Sequence, residues 1–119
     1  MTPVFCAITH DKNGQLLNTN ADTIASEIAI GMSKKYDVSL IYTFEMNGVL
    51  KSIKDKNSVI ENIDSKSYEN LKSENIIADG MLPKMENCFH ALQQGVSKVL
   101  IGNPSIINNK NQPYTTLVL

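Results

Sequence analysis

Apolar residues along this chain fall into two kinds of run, and the kinds predict different elements. Short unbroken runs occur at Val4 to Ile8, Val38 to Phe44, Lys98 to Ile101 and Thr115 to Leu119. Runs of this length, bounded by turn residues and rich in β-branched side chains, read as buried strands. Two other stretches are helical in period. Ala21, Ile24, Ala25, Ile28 and Met32 share one face, and Met81, Met85, Cys88, Phe89 and Leu92 recur at three- and four-residue steps.

Turn chemistry sets the boundaries. After the first apolar run, Asn13-Gly14 suits the tip of a tight turn and Gln15-Leu16-Leu17 suits a returning strand. Asn18-Thr19-Asn20 offers caps for the first long helix, which Gly31 and Ser33-Lys34-Lys35 bring to an end. Met46-Asn47-Gly48 breaks the strand that ends near Phe44, Val49-Leu50 resumes apolar, and Lys51 to Ser58 is a polar excursion. Ile60 and Ile63 bracket a short element, and Ser65 to Glu74 reads as a short helix capped at Asp64 or Ser65. Ile76-Ile77 runs into Asp79-Gly80, a turn in which Gly80 would supply positive φ, with Pro83 in the first turn of the helix that follows. Gly95 closes that helix, and Asn108 to Pro113 is a polar turn region. The order strand, helix, strand, helix, helix, strand, strand predicts an α/β fold with a mixed sheet.

At 119 residues the chain forms one domain. A net charge of −1, with acidic residues interleaved among the five lysines from Lys51 to Lys72, gives no electrostatic case for nucleic acid or an anionic membrane surface. Cys6 and Cys88 lie far apart in apolar runs, the pattern of buried thiols in a cytoplasmic protein. No apolar run approaches the roughly 18 residues of a membrane span, and no basic leader precedes an apolar segment. Met1-Thr-Pro-Val-Phe-Cys-Ala-Ile8 enters a strand directly, as a piece of a longer protein would.

The candidate chemistry centres on Lys84. It stands one residue past Pro83, off the apolar stripe and near a helix N-terminus, where cations are disfavoured. A solvated surface lysine is one reading; contact with an anion such as phosphate is the other. Asp22 holds the corresponding place on the first long helix, and reads either as a complement to the helix dipole or as the group that holds Lys84. Asn18 and Asn20 divide in the same way, between cap and ligand contact. If both helices start at the carboxyl edge of the sheet, Asp22 and Lys84 would share one crevice. There is no Walker-type glycine–lysine loop, and His10 and His90 lack metal-ligand spacing, so no metal site is assigned.

Asn18-Thr-Asn-Ala-Asp22 before a small-residue helix, together with Asp79-Gly-Met-Leu-Pro-Lys84, resembles the C-terminal half of the acetylglutamate (N-acylglutamate) kinases, within the amino acid kinase family. Ile8-Thr-His-Asp with Gly14, Phe44-Glu-Met-Asn-Gly-Val-Leu50, Glu27 and the terminal Thr115-Thr-Leu-Val fall in the family's order, so the likeness spans essentially the whole chain. The resemblance implies a three-layer sandwich with a mainly parallel sheet between helices, and a nucleotide-binding domain over residues 1–119. It implies transfer of the ATP γ-phosphoryl group to the side-chain carboxylate of N-acetyl- or N-succinyl-glutamate, in arginine biosynthesis, with Mg²⁺ accompanying ATP. By the match, Lys84 would stabilise the transferring phosphoryl group and Asp22 would orient the catalytic lysines. Asn18 and, more weakly, Asn20 would bind the acylglutamate, while Thr43, Phe44, Glu45, Gly48, Asp79, Gly80, Met81 and Lys84 would line the nucleotide pocket. The implied partners are nucleotide, acylglutamate and further copies of the chain, with neither nucleic acid nor membrane.

The sequence departs from the family in three respects. The N-terminal substrate half, with its glycine-rich phosphate loop and second catalytic lysine, is absent, so this chain alone is expected to be inactive. Thr43-Phe44-Glu45 is one residue longer than the family's Thr/Ser-Asp step, which leaves Glu45 without a settled role. The form Phe-Glu-x-x-Gly resembles a subgroup in which succinyl takes the place of acetyl, and both acyl groups stay open. The alternatives are a non-catalytic remnant that at most binds nucleotide, or another member such as aspartokinase or carbamate kinase; the Asn-x-Asn-Ala-Asp form speaks against those two. Loss of the adjoining half would also leave the Val4–Ile8 edge uncovered.

Overall fold

The computed structural model describes residues 1–109 and 111–119; Lys110, within the expected Asn108–Pro113 turn, lies outside them. A four-stranded sheet runs in the order β3-β5-β6-β4, built from β3 (Ser39–Thr43), β4 (Asn62–Ile63), β5 (Lys98–Gly102) and β6 (Thr115–Leu117). β3 pairs with β5 and β4 with β6 in parallel, while β5 and β6 are antiparallel. A separate hairpin joins β1 (Ile8–His10) to β2 (Leu16–Asn18), with Ile8 opposite Asn18. Three helices complete the fold: α1 (Ala21–Ser33), α2 (Ser65–Ser73) and α3 (Met81–Gln93). This is the α/β arrangement with a mixed sheet that the alternation of strand and helix patterns predicts.

One face of the sheet carries the core. Leu40 and Tyr42 of β3, Val99 and Ile101 of β5 and Leu117 of β6 point into it, as period-two alternation requires. Met85, Cys88, Phe89 and Leu92 of α3 close over them, with Ala29 of α1 and Tyr68 of α2. Tyr68 stacks on Phe89 with ring centroids 4.8 Å apart, which fixes α2 beside α3 on that face. The opposite face presents exposed Ser39, Ile41 and Thr43, so the described residues contribute the sheet and one helical layer of the expected sandwich. There the 3-10 turn Pro104–Ile107 reaches over Gly102 through Ile106.

Three local expectations are corrected. The Val4–Ile8 run is not a buried strand: Val4, Phe5 and Ile8 are exposed, and regular pairing begins only at Ile8. An apolar run is buried only where a surface exists to receive it, and these residues supply none. The fully buried residues of α1 are Ser26 and Ala29; of the expected Ala21, Ile24, Ala25, Ile28 and Met32 face only Ala25 packs against the core, and Met32 is exposed. Small residues win the buried positions because they let α1 approach the sheet closely. Finally, the positive φ of the turn before α3 belongs to Asp79 (φ 46), while Gly80 is already helical at φ −62. Aspartate tolerates the left-handed region better than most residues.

Lys51 to Ser58 is the tip of a small antiparallel excursion, closed by the Leu50–Val59 bridge and by the Lys51 N–H donating to the Ser58 carbonyl at 2.8 Å. Its base is locked to β6, where the buried Val49 N–H donates to the Thr115 hydroxyl oxygen at 2.8 Å. Gly48 permits this approach: a Cβ there would lie 2.7 Å from Thr115 Oγ1 and 2.8 Å from Val59 Cγ1. Gly48→Ala is therefore expected to destabilise the fold by about 1–3 kcal/mol through overpacking. Urea denaturation checks this, and an unchanged midpoint would show that the loop gives way without strain.

Candidate functional site

Helices α1 and α3 lie side by side and run in the same direction. At their starts the Lys84 ammonium donates to the Asp22 carboxylate at 2.6 Å. Midway His90 Nε2 lies 3.9 Å from Glu27 Oε1, and at their ends the Ser33 hydroxyl faces Gly95 and the Gln94 carbonyl. The sequence separation is nearly constant, 62 residues for Lys84–Asp22 and 61 for Ser33–Gln94, as two parallel helices in register require. Both N-termini thus open at one edge. It is the carboxyl edge of β3 and β5, where the Phe44 N–H donates to the Gly102 carbonyl.

The start of α1 is fixed by Asn20, whose side-chain oxygen accepts from the N–H groups of Asp22 and Thr23 at 2.9 and 3.2 Å. The start of α3 has no side-chain cap, and its first amides turn inward: Met81 donates to the Ala78 carbonyl and Leu82 to that of Asp79. Anion contact at this end therefore falls mainly to the Lys84 side chain. The placement that looked unfavourable for a lysine is offset by the carboxylate of the neighbouring helix. The pair is neither buried nor free, with side-chain exposures of 20% for Lys84 and 33% for Asp22.

Beneath the pair lies Tyr42 of β3, 5% exposed. Its hydroxyl donates to the Asp22 carbonyl at 2.8 Å and meets the Ser26 hydroxyl at 3.0 Å; Ser26 also reaches the Asp22 carbonyl at 2.8 Å. Two hydroxyl protons thus serve three contacts. The Lys84 nitrogen sits 4.9 Å from the Tyr42 ring centroid, within cation–π range. Burial pushes the Tyr42 phenol up to about 12, against the lowering effect of the Ser26 hydrogen bond. Cys88, one turn along α3, is wholly buried, and its thiol is likewise raised to about 12 by desolvation, with Lys84 opposing and Asp22 reinforcing the shift.

A cleft of about 280 Å³ opens between the segment after β3 and the turn before α3. Of the residues expected at a nucleotide pocket, Gly48, Asp79 and Met81 line this cleft, together with Leu50, Ile53, Asn75 and Ile76. Glu45 lines a neighbouring hollow of about 300 Å³ that shares Met46, Leu50 and Ile53. The remaining expected residues, Lys84 among them, lie outside these linings, with Lys84 one turn along α3 from Met81. Thr43 is exposed on the face opposite Tyr42, Phe44 is half-buried against the core, and Gly80 stands in the open at the α3 start. Asn18 is exposed in β2, and the Asn20 side-chain oxygen is occupied as the α1 cap. Among the described residues no group of three or more His, Cys, Asp or Glu converges to hold a metal ion, and no helix is long and apolar enough to cross a membrane.

Parallel strands ending at one edge, with two helix starts and a charged pair gathered there, define an α/β protein whose candidate site lies at that edge. The model of the amino acid kinase family matches residues 1–103, and the chain belongs to that family. It is similar to the acetylglutamate kinase of Cytophaga hutchinsonii, 50% identical over 101 residues that cover 85% of this chain and 38% of that protein. The acetylglutamate kinase of Phocaeicola vulgatus is 45% identical over 108 residues, covering 91% and 42%. The chain thus spans about two fifths of the length of these relatives. Among solved structures, smu.665 of Streptococcus mutans superposes with a TM-score of 0.71 at 29% identity over 94% of this chain and 40% of that one. A carbamate kinase from Giardia, at 16% identity and a TM-score of 0.66 over 93% of this chain and 39% of its own, shares the fold.

The raised thiol and phenol give stability a defined alkaline limit. Each group keeps in the folded chain a proton that the unfolded chain loses, so its contribution is complete below the unfolded value and fades as pH rises toward 12. Cys88 begins to lose its contribution near 9.0 and Tyr42 near 10.0. Denaturant stability should fall from pH 9 by up to about 1.4 kcal/mol per pH unit and more steeply above 10. In Cys88→Ala the 9–10 interval should flatten; an unchanged slope there would mean the thiol does not titrate differently on folding.

Proposed function

We propose that these 119 residues are the nucleotide-binding, C-terminal portion of an acetylglutamate kinase. The 2.6 Å Lys84–Asp22 contact at the joint start of two helices, beside an apolar-walled cleft, carries the reading. The base would lie against Leu50, Ile53, Ile76 and Met81, and the phosphates would extend toward Lys84. MgATP, when bound, supplies the γ-phosphoryl group and a divalent charge on its oxygens. The protein's part is positioning and charge neutralisation. Lys84 presents its ammonium to the phosphoryl oxygens while Asp22 holds that ammonium at the edge. The acceptor, a side-chain carboxylate, is ionised at neutral pH, so no general base is called for. With no converging metal ligands among the described residues, Mg²⁺ would arrive on the polyphosphate.

Identity of 44–50% to relatives named acetylglutamate kinase supports N-acetylglutamate as the acceptor of the whole protein, with a role in arginine biosynthesis in the cytoplasm. Asn18, exposed at the end of β2, is the remaining candidate for acceptor contact, with Asn20 a structural cap. Because the match covers only 38–42% of those relatives, a second reading stands beside the first: a non-catalytic remnant that folds and at most binds nucleotide.

The kinase reading requires nucleotide to stabilise the fold. At a nucleotide concentration ten times Kd the stabilisation is about 1.4 kcal/mol, a rise in Tm of several degrees. Lys84→Ala should abolish the rise. No shift of the unaltered chain at millimolar MgATP would overturn the nucleotide-binding reading and favour the remnant, and phosphorylation of acetylglutamate by this chain alone would overturn the expectation that transfer needs residues outside it.

We also infer self-association. Val4, Phe5, Ile8, Leu16 and Leu17 form an exposed apolar segment, and Phe5 shares a hollow of about 240 Å³ with Ile24 of α1. A surface of this kind drives pairing in water. Light scattering should report dimers or larger species at micromolar concentration; a monodisperse monomer would refute the inference.

A further inference from the structure

We propose that Tyr42 is a positioning residue for Lys84, gripping the ammonium with its ring and the start of α1 with its hydroxyl. The inference rests on the nucleotide reading of the Asp22–Lys84 pair and adds a residue that neither the motifs nor the cleft lining contains.

A lysine ammonium on a four-carbon stem has many orientations, and an ion pair half open to water restrains few of them. Two further contacts narrow the choice here. The ring face of Tyr42 lies 4.9 Å from the Lys84 nitrogen, on the interior side of the pair. The ring is itself immobile, because its hydroxyl is tied to the Asp22 carbonyl at 2.8 Å and to Ser26 at 3.0 Å. The same residue therefore sets the backbone that carries the carboxylate and the surface on which the ammonium rests. Ser26 shares this task, since its hydroxyl lies 2.8 Å from the same carbonyl. Leucine in place of Tyr42 would fill the core while removing both grips. Phenylalanine would keep the ring and lose the hydroxyl.

The two substitutions separate a positioning role from plain packing. In the unaltered chain the Lys84 Hε protons, close to an aromatic face, should resonate upfield of those of the other lysines. The displacement should persist in Tyr42→Phe and vanish in Tyr42→Leu. MgATP affinity should fall about tenfold in Tyr42→Leu and less than about threefold in Tyr42→Phe. Lys84 Hε protons at the ordinary lysine position in the unaltered chain would overturn the proposal, and this reading needs no variant to fold. Equal nucleotide affinity in the unaltered chain and a folded Tyr42→Leu would overturn it as well. If the unaltered chain shows the upfield shift but binds no MgATP, the contact stands and the nucleotide reading is what fails, taking with it any role of Tyr42 in ligand binding.

Discussion

The parallel, in-register packing of α1 on α3 is the constraint on which the rest of this structure depends. Two 13-residue helices pointing the same way set their dipoles side by side, an arrangement that is mildly unfavourable by itself. Packing overrides it. Ser26 and Ala29 on α1 are small and buried, and Cys88 and Ala91 on α3 are small and wholly buried, so both helices settle closely on the Tyr42 face of the sheet. The consequence is electrostatic. The first amides of both helices are already occupied, by the Asn20 side chain on α1 and by the Ala78 and Asp79 carbonyls on α3, so the group that can meet an anion at the shared edge is the Lys84 ammonium, held there by the Asp22 carboxylate. An otherwise near-neutral chain, at −1 overall, thereby gains one edge suited to an anion.

Lys84 shows why that edge is better read as a site than as a stability device. A lysine in the first turn of a helix opposes the dipole, and a neutral residue there would relieve the conflict without leaving a buried charge unpaired. The structure instead holds the lysine in place with a carboxylate from another helix, 62 residues away in sequence, and an aromatic face from a strand. Local rules broken at one point and compensated by long-range contacts are the pattern expected of a functional position.

Much of the fold is legible in the sequence because it is encoded locally. The strands at Val38–Phe44 and Lys98–Ile101, the Asp64 cap, the Gly95 terminator at φ 108 and the helix from Met81 all follow from period and turn chemistry. The proximity of Asp22 and Lys84 is legible as well, given that helices of such sheets start at the strands' carboxyl edge. What links them is not. Tyr42 reads as one more apolar strand residue and Ser26 as one more small helix residue, because their significance is a hydrogen bond across 16 positions. The one available signal was chemical: an inward-facing tyrosine needs a partner for its hydroxyl, and Ser26, one turn beyond Asp22, could meet it. The cleft was half legible for a similar reason. Its glycine and aspartate belong to motifs, while Leu50, Ile53 and Ile76 are apolar residues whose convergence on one cleft no local pattern announces.

The two failed burial expectations have a common physical cause, since they fall on one surface. The sequence places an apolar run at Val4–Ile8 and an apolar stripe at Ile24, Ile28 and Met32, and the structure leaves both at least partly open to water. They adjoin: Phe5, Cys6 and Ala7 form one wall of the hollow whose other wall is Ala21, Ile24 and Ala25. α1 is therefore apolar on two sides, with small residues against the sheet and larger ones outward. Asp22, Thr23 and Glu27 keep the remaining arc of α1 polar, so its apolar surface is a broad stripe and not a full circumference. The inner side is covered by these 119 residues and the outer side is not. The pattern is that of a fold whose apolar surface exceeds what its own residues can bury, in a chain that spans about two fifths of its relatives' length.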